Sequence, residues 1–181
     1  MKRHIIIEGC DGTGKNTLIE RLLTTHFGRQ FQVHDRTSTS LGGPVASLDE
    51  WVEQDTLSLS HTGPWIYNRH PLISETIYAP YREINRGLSG QFKNPTWIAE
   101  HRRYLAQYSV LVILKPPFHR VKQIVESQGI NAHLPGVYTH LESIYNTYAT
   151  FLWPGTTIRY DRTKNNYTEL FRTIATSLGK E

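Results

Sequence analysis

The chain reads as an α/β fold in three layers, a five-stranded parallel sheet covered by helices on both faces. Three observations predict it. Short apolar runs alternate with longer helical stretches along all 181 residues, an order that lays strands side by side and returns a helix over them. A glycine-rich run joins the first apolar segment to the first helical one. Neither repeats nor low-complexity linkers interrupt the alternation, so residues 1–181 are expected to form one domain with an ample core.

The elements follow in order. Ile5-Ile6-Ile7 with Glu8 forms the first strand, a continuous apolar run suited to burial on both faces. A helix over 15–26 carries Leu18, Ile19, Leu22 and Leu23, and residues 31–35 return as the second strand. The helix over 48–60 opens with Asp49 and Glu50, acids that complement the positive end of its dipole. Residues 65–68 make the third strand and 72–81 the next helix. Pro95 fixes φ at the head of a helix over 95–107. The fourth strand, 110–114, is stopped by Pro116-Pro117, which also starts a helix over 117–128. A helix over 137–151, a fifth strand over 157–160 and a helix over 167–178 complete the pattern.

Composition narrows the class. The single cysteine, Cys10, excludes an internal disulfide framework. No stretch approaches the roughly 18 apolar residues of a membrane span. The charged start, Lys2-Arg3-His4, is cut off by Gly9-Cys10-Asp11 too early for a signal peptide, so a cytoplasmic protein is expected. The net charge of +4 and pI ≈ 9.2 suit a polyanionic partner or simple solubility. The nine histidines show no metal-ligand spacing.

The chemistry concentrates in Gly9-Cys10-Asp11-Gly12-Thr13-Gly14-Lys15-Asn16-Thr17. Gly9, four residues, then Gly14 and Lys15 is the spacing of a phosphate-cradling loop. Glycines let the backbone curl so that successive N–H groups point at one anion. The helix N-terminus adds unpaired N–H groups, and Lys15 supplies a point charge for the β- and γ-phosphates of a nucleotide. The hydroxyl residue that normally follows the lysine as a Mg²⁺ ligand is Asn16 here, whose amide oxygen is a weaker donor. Cys10 reads as a small side chain filling a tight turn, with a redox role as the competing reading. In parallel sheets ligands bind at the carboxyl ends of the strands. That rule nominates Asp35, Arg36, Asn68, Arg69 and the residues after Leu114 as site neighbours.

These residues carry a resemblance. Residues 7–15, Ile-Glu-Gly-Cys-Asp-Gly-Thr-Gly-Lys, resemble the phosphate loop of thymidylate kinases. Asn68-Arg69-His70 and the following Ser74 look like that family's Asp-Arg-Tyr/His segment, and Asp35-Arg36-Thr37 with Gly42-Gly43-Pro44 is similar to its Thr-Arg-Glu-Pro-Gly-Gly segment. The likeness is closest to divergent bacteriophage members. It implies the nucleoside-monophosphate-kinase fold and transfer of the ATP γ-phosphoryl group to a thymidine-like acceptor, with Mg²⁺ as cofactor. It implies that Gly9 to Thr17 hold the ATP phosphates, that Arg69 and Arg36 hold an acceptor phosphate, and that Asp11 and Asn16 stand near the metal. Family members commonly pair, so a homodimer is also implied. Asn16 and Asn68 depart from the pattern, and the arginine-bearing lid has no clear counterpart in 118–136, where only Arg120 and Lys122 occur. His133 reads either as a phosphate contact or as a plain loop histidine.

The acceptor leaves its own mark. A phosphate acceptor needs no base, whereas a hydroxyl acceptor benefits from a carboxylate that takes its proton. Asp35 stands where the family usually has Thr, and related deoxynucleoside kinases keep a carboxylate near this place. Asp35 therefore tilts the reading toward a hydroxyl, with a turn-forming role as its competitor. The branch that phosphorylates 5-hydroxymethyluracil within phage DNA supplies such a hydroxyl. On that reading Lys93, His101, Arg102 and Arg103 are candidate DNA contacts, and Tyr78, Tyr81 and Trp97 candidate stacking partners. Free thymidylate or another deoxynucleoside monophosphate is the alternative acceptor, and a nucleoside is the third. A non-catalytic nucleotide-binding module is the alternative of a different class.

Overall fold

The first strand, β1 (His4–Glu8), has every residue buried, and Ile5, Ile6 and Ile7 are at 0% exposure. Successive side chains of a strand point to opposite faces. Ile5 and Ile7 therefore enter one core, and Ile6 enters another. In the computed structural model, which describes residues 3–35, 48–59, 63–81, 94–129, 133, 136–164 and 166–179, this division organises the whole sheet.

Four further strands join β1: β2 (Gln32–Asp35), β3 (Trp65–Asn68), β4 (Ser109–Leu114) and β5 (Thr157–Tyr160). All pairs are parallel, and the order is β2-β3-β1-β4-β5. The helices are α1 (Lys15–Thr24), α2 (Leu48–Ser58), α3 (Pro71–Tyr78, extended by a 3₁₀ turn Ala79–Tyr81), α4 (Pro95–Tyr108), α5 (Phe118–Gln128), α6 (Leu141–Thr150) and α7 (Tyr167–Ser177). Ile5, Ile7, Val110 and Val112 pack with Leu18 and Leu22 of α1 and with Leu170 and Ile174 of α7. On the other face, Ile6, Leu111 and Ile113 pack with Val52, Leu72, Leu105, Val121 and Ile144, which come from α2 to α6. The expected three-layer α/β fold is thus the observed one.

Local chemistry explains the boundaries. α3 begins at Pro71, and the His70 ring caps it by accepting the Leu72 N–H at 3.2 Å. Asn94 does the same for α4, accepting the Thr96 N–H at 2.8 Å ahead of Pro95. β1 and β4 run one residue longer than the apolar pattern predicts, because His4 and Ser109 also pair. Residues 137–140, expected to be helical, form turns instead. They follow Gly136 at φ 85, and α6 starts only at Leu141.

β1 lies at the centre, with the chain passing to β2 and β3 on one flank and to β4 and β5 on the other. That change of direction opens a crevice at the carboxyl end of β1.

Candidate functional site

The loop leaving β1 closes tightly on its neighbours. Gly9 has φ 144, and a Cβ there would lie 2.9 Å from the Leu114 carbonyl oxygen, so only glycine fits. Thr13, fully buried, ties the loop to itself by donating to the Cys10 carbonyl at 2.9 Å. Lys15 is 8% exposed and donates its ammonium to the carbonyls of Gly9 at 3.1 Å and Cys10 at 3.0 Å. Burial, aided by the charge of Arg69, brings the Lys15 ammonium down to about 8. Burial also pushes the Cys10 thiol up to about 12, which makes it unreactive and favours its space-filling reading.

Opposite the loop, the chain turns sharply as β3 ends. Arg69 is the one non-glycine residue with positive φ among the described residues, at 72°. An L-residue holds this conformation at a cost of about 1–2 kcal/mol, so something must stabilise it. Two bonds at the end of β1 do so. The Arg69 N–H donates to the Ile7 carbonyl at 3.0 Å, and the His70 N–H donates to Glu8 Oε1 at 2.8 Å. Glu8 is at 0% exposure and its other oxygen accepts the Tyr148 hydroxyl at 2.8 Å. Burial lifts the Glu8 carboxyl above the ordinary range, even against Arg69 and these two donors. The glutamate that precedes the phosphate loop thus sets the turn that aims Arg69.

Asp11 is the hub between the two sides. Its carboxylate pairs with the Arg69 guanidinium and with His133 Nδ1 at 3.2 Å, and the Tyr78 hydroxyl lies 3.4 Å away. Burial works against the Asp11 charge, but Arg69, His133 and Lys15 outweigh it and hold the carboxyl well below its usual range. The same hydrogen bond raises His133. The Arg69 guanidinium lies 4.7 Å over the Tyr78 ring, which is 3% exposed. The ring face expected to stack on an acceptor base is therefore covered by Arg69, and Tyr78 supports the arginine instead.

Asp11, Gly12, Gly14, Lys15, Asn16 and Thr17 line a cleft of about 560 Å³, closed by Asn68 and Arg69 on one side and by Ile124, Gln128, His133 and Arg162 on the other. The Mg²⁺ donors implied by the resemblance do not assemble there. Asn16 Oδ1 accepts the Asn68 amide at 3.1 Å, and Asp11, the one carboxylate lining the cleft among the described residues, is engaged by Arg69 and His133. Mg²⁺ is usually held through one or two carboxylates beside substrate phosphates, and two amides bonded to each other do not fit that role. Among the described residues no three His, Cys, Asp or Glu side chains cluster as metal ligands.

Other expected residues fall in different places. The register sets Asp35 beside Asn68, so the β2 carboxyl end adjoins the Arg69 turn; the Asp35 side chain, Arg36 and Lys93 lie outside what is described. Tyr81 packs near the His140 ring at 5.2 Å. Arg102 is not a solvent-facing DNA contact. Its guanidinium donates to the Leu72 carbonyl at 2.7 and 2.9 Å and to Thr76 Oγ1 at 2.7 Å, fastening α4 to α3. Trp97 stacks on His101 at 3.9 Å and donates toward Glu53 at 3.3 Å, while Arg103 is exposed. Glu8, Tyr148 and the His133–Asp11 contact escape sequence reasoning, because each joins segments far apart in the chain. Arg162 is marked in the sequence, with Arg159 and Asp161, only by its place at the end of β5 or just beyond it, as a positional candidate for a purine-base contact.

No helix among the described residues is long and apolar enough to cross a membrane. No family model matches the chain, and no curated protein matches it significantly. Solved structures do. YorR from Bacillus subtilis, crystallised with phosphorylated GDP, is 16% identical over 97% of this chain and 95% of its own, with a TM-score of 0.69. A sugar kinase from a Janibacter species is 14% identical over 99% of this chain and 95% of its own, with a TM-score of 0.55. At these identities the likeness establishes a shared kinase-like P-loop fold along nearly the whole chain.

Proposed function

We propose that this protein is a P-loop phosphotransferase that moves the γ-phosphoryl group of ATP to a thymidine-like acceptor. One observation carries the reading: Lys15 and Arg69 line the same cleft, with Asp11 paired to Arg69 between their charges. A module that only binds a nucleotide needs the first cation and has no use for a second one built at the cost of a left-handed arginine. Phosphoryl transfer is chiefly positioning and charge neutralisation, and two cations in one cleft supply both. In this reading the loop N–H groups and Lys15 hold the donor phosphates. Arg69, keeping one nitrogen on Asp11, presents the rest of its guanidinium fork to the acceptor phosphate. ATP would bring Mg²⁺ on its own phosphates, and the protein's residues carry the positioning.

A free nucleoside monophosphate is the acceptor that suits Arg69, and YorR was likewise crystallised with a nucleotide. The second reading is 5-hydroxymethyl-deoxyuridine in phage DNA. It is favoured by Asp35 at the β2 carboxyl end, in register with Asn68 and next to the Arg69 turn, where a carboxylate would take the hydroxyl proton. The test is transfer of radiolabel from ATP to dTMP, to 5-hydroxymethyl-deoxyuridine monophosphate and to DNA containing 5-hydroxymethyluracil. Label in a free monophosphate alone supports the first acceptor, and label in the DNA alone supports the second. Tight ATP binding without transfer to any of them would leave a binding module.

A further inference from the structure

Resting on the reading that the cleft takes a nucleotide, we propose that Arg162 binds the nucleotide phosphates directly, in the role that a chain-held divalent cation would otherwise fill. Three features of the cleft lead there. First, the donors that would hold a cation are spent on other partners: Asn16 on Asn68, and Asp11 on Arg69 and His133. Second, a triphosphate carries several negative charges, and the protein's own share of neutralising them then falls to side-chain cations. Among the described residues Lys15 and Arg69 are two, and the third that lines the cleft is Arg162. Third, Arg162 is placed for the task. It lies in the 3₁₀ turn Arg162–Lys164 just beyond β5, and its guanidinium rests on the phosphate loop itself. Gly14 has φ 88, and a Cβ there would meet Arg162 Nη1 at 2.0 Å. Gly14 thus serves the loop's curl and also leaves room for the guanidinium.

Arg162 is half-buried and forms no hydrogen bond or ion pair with another described residue. Its neighbour Asp161 is absorbed by its own turn, accepting the Thr163 N–H at 2.9 Å and the Thr163 hydroxyl at 2.7 Å. A guanidinium beside the phosphate loop, with its fork of donors unspent on any described residue, is matched to phosphate oxygens. The site class is therefore a nucleoside di- or triphosphate held through direct ion pairs. Its affinity depends little on free Mg²⁺.

Calorimetric titration of the intact protein with ADP and with adenosine tests this, in EDTA and again in excess Mg²⁺. The wild type is expected to bind ADP with affinities within about threefold in the two buffers. Arg162→Ala should weaken ADP by about tenfold or more and leave adenosine nearly unchanged, and Arg162→Lys should recover part of the loss. Equal weakening of ADP and adenosine would make Arg162 a base contact and overturn the proposal, as would an Arg162→Ala protein that binds ADP normally. Wild-type binding that needs Mg²⁺ by more than about tenfold would also overturn it. Failure of the wild type to bind either compound would remove the nucleotide reading itself, and this inference with it.

Discussion

Lys15 and Arg69 share one cleft but are held there by different means. Lys15 bonds to backbone carbonyls of its own loop, at Gly9 and Cys10. Arg69 is pinned by side chains outside its own turn: Asp11 before α1, 58 residues earlier, and Tyr78 on the following α3, with Glu8 fixing the turn beneath it. The phosphate-loop side is thus a local device, complete within a few residues, and the Arg69 side is a tertiary one. A local device tolerates change around it. A tertiary one is sensitive to every partner, and its arginine moves if any of them does.

The largest expected effect lies on the local side. Lys15→Ala removes the one ammonium in the loop, and transfer should fall by about a thousandfold or more in a labelled-ATP assay. Unchanged turnover would break the assignment of that side. Asp11→Asn probes the tertiary side. It keeps the shape of the hub but releases Arg69, so the acceptor KM should change by about tenfold while ADP affinity moves much less. Equal changes in both would erase the contrast between the two sides.

A pH series sharpens it further. Because burial lowers the Lys15 ammonium to about 8, the free protein holds the charged form at a cost below that pH. The unfolded chain keeps this proton to about 10.4, so folding stability from this group rises between those values. The cation that attracts phosphate disappears over the same window. ADP affinity should fall by about fivefold between pH 8 and pH 9, and a flat titration would contradict the lowered lysine. The smallest effect is expected from Tyr148→Phe, which removes the hydroxyl donated to Glu8. It should cost about 1–2 kcal/mol, read as a melting temperature lower by about 2–8 °C.

The same contrast governs what the sequence discloses. The order of strands and helices is legible because apolar runs, prolines and caps act over a few residues. The phosphate loop is legible for the same reason, since Gly9, Gly14 and Lys15 sit at fixed offsets within one turn. Arg69 is legible as a residue at a strand's carboxyl end, but its left-handed backbone and its partners are not. Glu8 reads as the polar end of an apolar strand until Tyr148, 140 residues away, is seen to donate to it. Arg102 reads as a surface charge until α3 is packed against it. Asn16 announces a weakened metal site by its side chain alone, yet its bond to Asn68 appears only when β3 lies beside β1.

The buried Cys10 has a practical consequence for watching this cleft at work. The protein's one native thiol is 1% exposed and kept protonated, so thiol-directed dyes and spin labels will pass it by. Gln128→Cys, on the exposed rim at the end of α5, would then take a probe at a single defined position. Ligand binding beside the rim could be followed by fluorescence or paramagnetic relaxation, with the native cysteine left in place.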